Sequence, residues 1–336
     1  MLILMFIHHF FQSPQWYIHG VSYPHLEWIT YYQYQFRICV SVFAFLTGYF
    51  YAFNKHQDLH YSLSKILGIF IPFFCVFIPY YIIALATNTI HFSPISFLLE
   101  AFAIQHKIMI FCWYVVFYSL SMLLLPLIVK PKGIKRAISI FISFYLPPIL
   151  FRLLWTQKND SCLYDIFLNF QMFFPMTLIG YIIAYLNVFQ KMDVILLKFN
   201  NNVLLVFFYS FLVITTFCFQ AKLFCWKARD PYLFILPCTF RTLSIPLFLY
   251  GLINILQLIK QCFITKILFL IGQYSLLMWF VHCLFFNVTR EYTQKILFFS
   301  KFALLVLAWG LILCFFLAIA FDFLSSYILK KIKHKR

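Results

Sequence analysis

Long apolar stretches separated by short polar segments fill the chain from one end to the other. A transmembrane α-helix needs about 20 mostly apolar residues, and most of these stretches approach that length. The alternation at every second position that is typical of membrane β-barrels is absent. The pattern predicts an all-α bundle of about ten transmembrane helices, at Met1–Phe11, Phe36–Phe53, Ile66–Ala86, Ile108–Val129, Ala137–Leu154, Ile166–Val188, Val203–Phe219, Tyr232–Ile255, Ile264–Asn287 and Leu297–Leu329.

The first predicted span, Met1–Phe11, is shorter than the others. A helix of that length cannot cross a bilayer alone. It has no positively charged start and no small-residue cleavage site, so a signal peptide fits poorly. Two interpretations stay open: the true start lies upstream, or this segment is the outer half of a helix.

Charged residues are scarce and concentrate in the short loops. Only 10% of the 336 residues are charged and 64% are apolar, which is too little charge to cover a water-soluble domain. We therefore expect one integral-membrane domain over residues 1–336, with no separate soluble domain. The net charge of +17 lies mainly in loops, so it indicates membrane topology and not nucleic-acid binding.

Alternate loops differ in their positive charge. The loops at 55–65, 130–136, 191–198, 260–266 and 330–336 hold fifteen of the 26 Lys and Arg residues. By the positive-inside rule, this set of loops faces the cytoplasm. With an even number of spans, both termini are then cytoplasmic and the His8–His9 end of the first span faces outward.

Three histidines lie well inside apolar runs: His8, His9 and His282. Histidine is costly in hydrocarbon, so each is a functional candidate. Burial keeps imidazole neutral and able to take a proton, and the functional interpretation is a general base at the outer membrane face. The alternative is an interfacial histidine that a neighbouring helix satisfies, and for His282 we favour this structural role.

Arg37 stands at the start of the second span. A guanidinium group suits bidentate contacts to phosphate, although an arginine at a span end can also be a simple interfacial anchor. Further along this span, Thr47 and Gly48 are small residues that allow a neighbouring helix to approach closely.

Other sequence signals exclude several classes of site. The ten cysteines stand singly, and no Cys/His cluster has the spacing of metal ligands, so we expect neither a metal site nor a disulfide framework. The motifs of nucleotide hydrolases, zinc proteases and serine hydrolases are missing. We expect no bound cofactor.

Five stretches, taken in order, resemble acyltransferase family 3, the integral-membrane O-acyltransferases that modify bacterial surface polysaccharides. Each stretch alone is a weak match, but their order and spacing over residues 1–282 are similar to the family pattern. The first looks like the end of the family's first helix with its histidine, and the last looks like its late helix, which also ends in histidine. The stretches are MLILMFIHHFF, RICVSVFAFLTGYFYA, WYVVFYSLSMLLLP, FPMTLIGYIIAY and IGQYSLLMWFVH.

The resemblance implies an O-acetyltransferase of the bacterial cytoplasmic membrane. Acetyl-CoA would be the co-substrate, reached from the cytoplasm. The acceptor would be a hydroxyl of a surface or exported polysaccharide, or of a lipid-linked glycan. The expected partners are therefore these two substrates and the lipid bilayer, without nucleic acid.

The resemblance also implies roles for individual residues. His9, with His8 as the second choice, corresponds to the family's histidine, which would act as a general base or form an acyl-histidine intermediate. Arg37 would bind the donor or stabilise charge. The residues expected to shape the cavity are Thr47, Gly48, Tyr49, Trp113, Tyr274, Ser275 and His282, the last of which would also hold the late helix.

Two features depart from the family pattern. A basic residue usually precedes the first-helix histidine by about three turns, and counting back from His9 passes residue 1. Thr47 stands where the family usually has serine, which keeps the hydroxyl group.

Two other functions compete with the transferase. A transporter or flippase of a glycan or lipid-linked sugar would use the same cavity without chemistry, although no inverted repeat is visible in the sequence. A membrane subunit without enzymatic activity is the other alternative.

Overall fold

Helices account for nearly all of the regular structure. The computed structural model describes residues 1–11, 36, 38–154, 161–196, 198, 202–225, 235–258, 263–286 and 290–334. Within these residues the α-helices are α1 Leu2–Phe10, α2 Ile38–Ala52, α3 Leu59–Ala86, α4 Pro94–Ala101, α5 Trp113–Val129, α6 Ile134–Leu154, α7 Cys162–Tyr185, α8 Val188–Leu196, α9 Asn202–Cys225, α10 Ile235–Leu258, α11 Phe263–Gln273, α12 Ser275–His282, α13 Arg290–Leu297 and α14 Ala303–His334. Short 3₁₀ turns at Ile110–Cys112 and Cys283–Phe285 precede α5 and follow α12.

The predicted all-α membrane bundle is confirmed. In the described part of the chain, seven helices are long and apolar enough to cross a membrane, and the bent pair α11–α12 would make an eighth. The two remaining predicted spans are shorter helices, α1 with 9 residues and α2 with 15. In the described residues each of the ten predicted apolar segments contains a helix, but only seven of these helices are long enough by themselves.

Local capping explains where the helices depart from the predicted bounds. Helix α3 begins at Leu59 and not at Ile66, because Asp58 Oδ1 accepts a hydrogen bond of 2.8 Å from the backbone N–H of Tyr61. Such a bond satisfies one of the free N–H groups of a first helical turn. Helix α6 begins at Ile134, three residues early, directly after Gly133 in the left-handed region at φ 58°.

The predicted ninth span, Ile264–Asn287, is broken. Helices α11 and α12 meet at an angle of 67° on either side of Tyr274. Hydropathy does not show the break at Tyr274, because the residues on both sides of it are apolar.

The predicted loop Thr87–Lys107 also differs from the structure, because it contains α4. Ser93 caps this helix by accepting a hydrogen bond from the Ser96 N–H.

The chain forms two compact units. One consists of Met1–Phe36, Leu63–Ser119 and Ile267–Arg336, and the other of Arg37–Ser62 and Leu120–Lys266. We call them the histidine unit and the glycine unit, after the features described next. Each unit therefore gathers segments that are far apart in the sequence.

In the glycine unit, α2 and α7 cross in direct backbone contact. A Cβ atom on Gly48 would overlap the carbonyl oxygen of Thr177, and one on Gly180 would overlap the carbonyl oxygen of Phe45. Small residues at a crossing let two membrane helices approach closely enough for extensive packing. The two glycines belong to two of the five stretches that resemble acyltransferase family 3, which gives those stretches a structural role.

In the histidine unit, the first helix packs against a third glycine. The ring of Phe10, on α1, lies where a Cβ atom of Gly310 on α14 would be. Phe6 and Phe10 of α1 are fully buried, with their ring centroids 5.0 Å apart. This packing fixes the end of α1 that carries the two adjacent histidines.

We expect Gly48→Ala and Gly180→Ala to destabilise the protein by about 3 kcal/mol, the upper end of overpacking costs. The atoms that the new methyl groups would meet belong to the backbone and cannot move away. Thermal unfolding in detergent micelles measures the change. Gly68→Ala in α3 is the control, because no heavy atom lies within 4 Å of its Cβ position. Equal stability of G48A and G68A would contradict the crossing.

Candidate active site

Three histidines come together inside the histidine unit. His8 and His9 lie in the last turn of α1, and His282 is the last residue of α12. All three are buried, with exposed fractions of 3%, 8% and 0%. The His8 and His9 ring centroids are 4.8 Å apart, and those of His9 and His282 are 5.1 Å apart.

Phe111 packs against two of these imidazoles. Its ring centroid lies 3.6 Å from that of His9 and 5.1 Å from that of His282, and it stacks on His282 with an interplanar angle of 10°. Phe6 meets His282 edge to face at 5.5 Å. The surroundings of the His9–His282 pair are therefore largely aromatic, which favours neutral imidazole.

The backbone fixes the tautomer of His282. Its Nδ1 atom makes a short contact with the carbonyl oxygen of Trp279, one turn earlier. Because a carbonyl oxygen can only accept, Nδ1 must carry the proton and Nε2 the lone pair. Within the described residues, Nε2 is buried and has no hydrogen-bond partner. In this tautomer Nδ1 is occupied by the backbone contact, and Nε2 is the ring nitrogen that faces the interior without a described partner.

Two cysteines tie the segments around this pair together. Cys112 follows Phe111, and Cys283 follows His282. Their Sγ atoms are 3.9 Å apart and both side chains are buried. This contact could not be predicted from the sequence, because 171 positions separate the two residues. It aligns the start of α5 with the end of α12, and so helps to hold Phe111 against His282.

A buried carboxylate that the sequence analysis missed supports the approach to this site. Glu100, the penultimate residue of α4, is 2% exposed. Its two carboxylate oxygens accept hydrogen bonds from the N–H groups of Lys107 at 2.8 Å and Ile108 at 3.3 Å. Glu100 thereby holds the segment that leads to Phe111. The available signal was a lone acid between apolar residues in SFLLEAF.

Burial raises the pKa of the Glu100 carboxyl above its ordinary value. The two backbone N–H bonds and the charge of Lys107 oppose that shift but do not cancel it. Glu100 is therefore easier to protonate in the folded chain than in the unfolded chain.

The other predicted site residues of this unit lie on the same segments. Trp113 begins α5, directly after Cys112, and its ring contacts Tyr114 at 6.1 Å. Tyr274 stands at the bend between α11 and α12, and its ring packs edge to face on Phe315 at 5.4 Å. Ser275 is the first residue of α12.

The remaining predicted residues belong to the glycine unit. Thr47 donates a hydrogen bond of 3.0 Å to the carbonyl oxygen of Phe43, and Gly48 forms the α2–α7 crossing described above. Tyr49 lines a small polar cavity of about 180 Å³ together with Asp193 and Tyr250. The Tyr250 hydroxyl donates to Asp193 Oδ1 at 2.5 Å. Arg37 lies outside the described residues.

Metal binding finds no support in the described residues. No group of three or more His, Cys, Asp or Glu side chains there is arranged to hold a metal ion. The described contacts of the His9 and His282 imidazoles are largely with aromatic rings.

Apolar helices around buried imidazoles define a multi-pass membrane protein. A family model described as an acyltransferase domain, Acyl_transf_3, matches residues 1–326. The chain therefore belongs to acyltransferase family 3 and is a membrane acyltransferase, which confirms the resemblance seen in the five stretches. Neither the curated proteins nor the solved structures contain a significant match to it.

The raised pKa of Glu100 predicts a pH-dependent stability. Between the ordinary pKa of glutamate and the raised one, the folded chain binds a proton that the unfolded chain has released, so stability falls as pH rises. One such group contributes a slope of at most about 1.4 kcal/mol per pH unit.

Comparing wild type with Glu100→Gln isolates this contribution. Thermal unfolding in detergent from pH 4 to 8 should show the wild type losing stability relative to E100Q as pH rises. A wild-type advantage that grows with pH would mean that the backbone N–H groups keep Glu100 ionised.

Proposed function

We propose that the protein transfers an acetyl group from acetyl-CoA to a hydroxyl of a surface or exported polysaccharide, with His9 as the general base. The observation that carries this proposal is the buried contact of His9 with Phe111 and His282, in a chain of the acyltransferase family. The fold and the family show a membrane acyltransferase. The identities of the donor, the acceptor and the base are what we propose.

The reaction needs a base because a sugar hydroxyl is a poor nucleophile. The imidazole takes the hydroxyl proton while the oxygen attacks the thioester carbonyl, so a C–O bond forms. The C–S bond then breaks, and the imidazolium returns the proton to the leaving thiolate of CoA. The products are the O-acetyl ester and the free thiol of CoA, and the imidazole is neutral again.

His9 is the better candidate of the adjacent pair. Its ring contacts Phe111 and lies near His282, which links it to the α12 end of the cluster. The His8 ring lies beside that of His9. A neutral His282 beside the base favours direct proton abstraction, because it adds no positive charge that would lower the basicity of His9.

An acyl-histidine intermediate is the competing chemistry. In that case a histidine nitrogen attacks the thioester, and the sugar hydroxyl attacks the acyl-histidine afterwards. Incubation with radiolabelled acetyl-CoA without acceptor separates the two routes, because only the covalent route labels the protein.

Arg37 is proposed as a contact to the donor phosphates. A guanidinium group forms paired hydrogen bonds with phosphate oxygens more readily than an ammonium group does. Acetyl-CoA would arrive from the cytoplasm, and because the predicted topology puts the start of the second span toward the outer face, its phosphates would reach Arg37 only by extending into the protein. The acceptor would come from the opposite side, where the exported polymer lies.

His9→Gln should lower acetyl transfer by about 10²–10⁴-fold, the usual contribution of a general base. Membranes with the variant, radiolabelled acetyl-CoA and the isolated polysaccharide provide the assay. His8→Gln is the matched control, with the same substitution one position away, and should lose much less. Unchanged transfer in both variants, at equal protein levels in the membrane, would rule out a base from this pair.

Deletion of the gene should yield exported polysaccharide that lacks O-acetyl groups. Acetyl signals in NMR spectra of the purified polymer measure this directly. A transporter or flippase would behave differently, since its deletion would leave unexported polymer in the cell. Restoration by the wild-type gene but not by the H9Q variant would connect the acetylation to the histidine.

A further inference from the structure

An apolar groove runs along the surface of the glycine unit. Helices α6, α7 and α10 enclose a cavity of about 480 Å³. Its wall is built mainly from aliphatic and aromatic side chains, among them Ile140, Phe144, Ile182 and Leu243. Nothing in the proposed acetyl transfer uses this cavity.

The groove has the length of a lipid tail. On α6 it is lined from Gly133 to Tyr145, which at 1.5 Å of rise per residue is about 18 Å. One leaflet of a bilayer contributes roughly half of the 30 Å hydrocarbon thickness. A groove that begins at a helix end and continues for about that distance matches one acyl chain lying along the helix.

One end of the groove is strongly basic. Lys130, Lys132 and Lys135 are exposed there, and Arg136 lines the groove itself. The sequence between Glu100 and Asp160 contains no acidic residue, so none on this segment neutralises them. The positive end of the α6 dipole adds to the same field.

Arg136 is held at the mouth of the groove. Its Nε donates a hydrogen bond of 2.8 Å to the carbonyl oxygen of Pro131. Its guanidinium carbon lies 5.0 Å above the ring centroid of Tyr185, which also lines the groove. The side chain is therefore ordered before any ligand arrives, which lowers the entropic cost of binding an anion.

We propose that this groove binds one anionic phospholipid, with an acyl chain between α6 and α7 and the phosphate at Arg136, Lys132 and Lys135. Basic pockets between membrane helices on the cytoplasmic side are suited to anionic head groups. A soluble phosphate would use the basic end but not the groove, and a zwitterionic lipid would use the groove but not the excess positive charge.

Lipid binding to the purified full-length protein tests this proposal. The probes are dioleoylphosphatidylglycerol and dioleoylphosphatidylcholine, which have the same tails and differ in head-group charge. Native mass spectrometry counts bound lipid, and thermal unfolding in detergent reports stabilisation. We expect the anionic lipid to bind at least about tenfold more tightly, because each basic residue near an anionic head group contributes several-fold.

Two variants separate the head-group site from the groove. Lys132→Gln/Lys135→Gln/Arg136→Gln should remove the preference for the anionic lipid, while Ala137→Trp should fill the groove and reduce binding of both lipids. Ala137 is an exposed groove residue, so the larger ring does not enter the core. The control is Lys191→Gln/Lys198→Gln/Lys266→Gln, which removes equal charge from exposed positions that the sequence places on the same face and should keep the preference.

Three results would overturn the proposal. The first is equal binding of the two lipids by the wild-type protein. The second is an anionic preference that survives the triple substitution at 132, 135 and 136, or one that the control loses equally. The third is stabilisation by CoA that the same triple variant abolishes, which would make the basic end a nucleotide-phosphate site.

Discussion

The absence of water in the bilayer is the constraint on which this structure depends. Every backbone N–H and C=O group within the hydrocarbon must find its partner inside the protein, and a helix provides that partner locally. Association of the helices must then come from close packing, because lipid tails surround them with material as apolar as their own side chains. The glycine contacts Gly48–Thr177, Gly180–Phe45 and Gly310–Phe10 are where that packing is tightest.

Because the bilayer holds no water, each buried polar group also needs a partner within the protein. Glu100 holds the chain before Phe111 through two backbone N–H groups, and the Trp279 carbonyl fixes the tautomer of His282. These interactions lie within one unit and converge on the ring pair His9–Phe111. The site therefore consists of a few polar atoms, each oriented by the backbone, within an aromatic wall.

Hydropathy was sufficient to predict the long apolar helices, because transfer of about 20 apolar residues into hydrocarbon dominates all local terms. Hydropathy did not predict where the helices begin, because the start of α3 depends on the Asp58 cap and the start of α6 follows Gly133 in its left-handed conformation. It also could not locate the break at Tyr274, since the residues on both sides are apolar. The resemblance to the acyltransferases pointed to His9 and His282, but their proximity depends on tertiary packing. Cys112 and Cys283 were missed because 171 positions separate them. Glu100 was missed because its partners are backbone N–H groups, which no sequence pattern marks.

The stacking of Phe111 on the imidazoles bears on where a proton can come from and go to in the proposed reaction. Phe111 covers one face of the His9 imidazole, and only 8% of the His9 side chain is exposed. In the proposed acyl transfer the base does not need to exchange its proton with bulk water, since the proton taken from the alcohol departs with the thiol. A base that is shielded on one face therefore suits the proposed reaction, whereas hydrolysis of the thioester would need a water molecule at the same position.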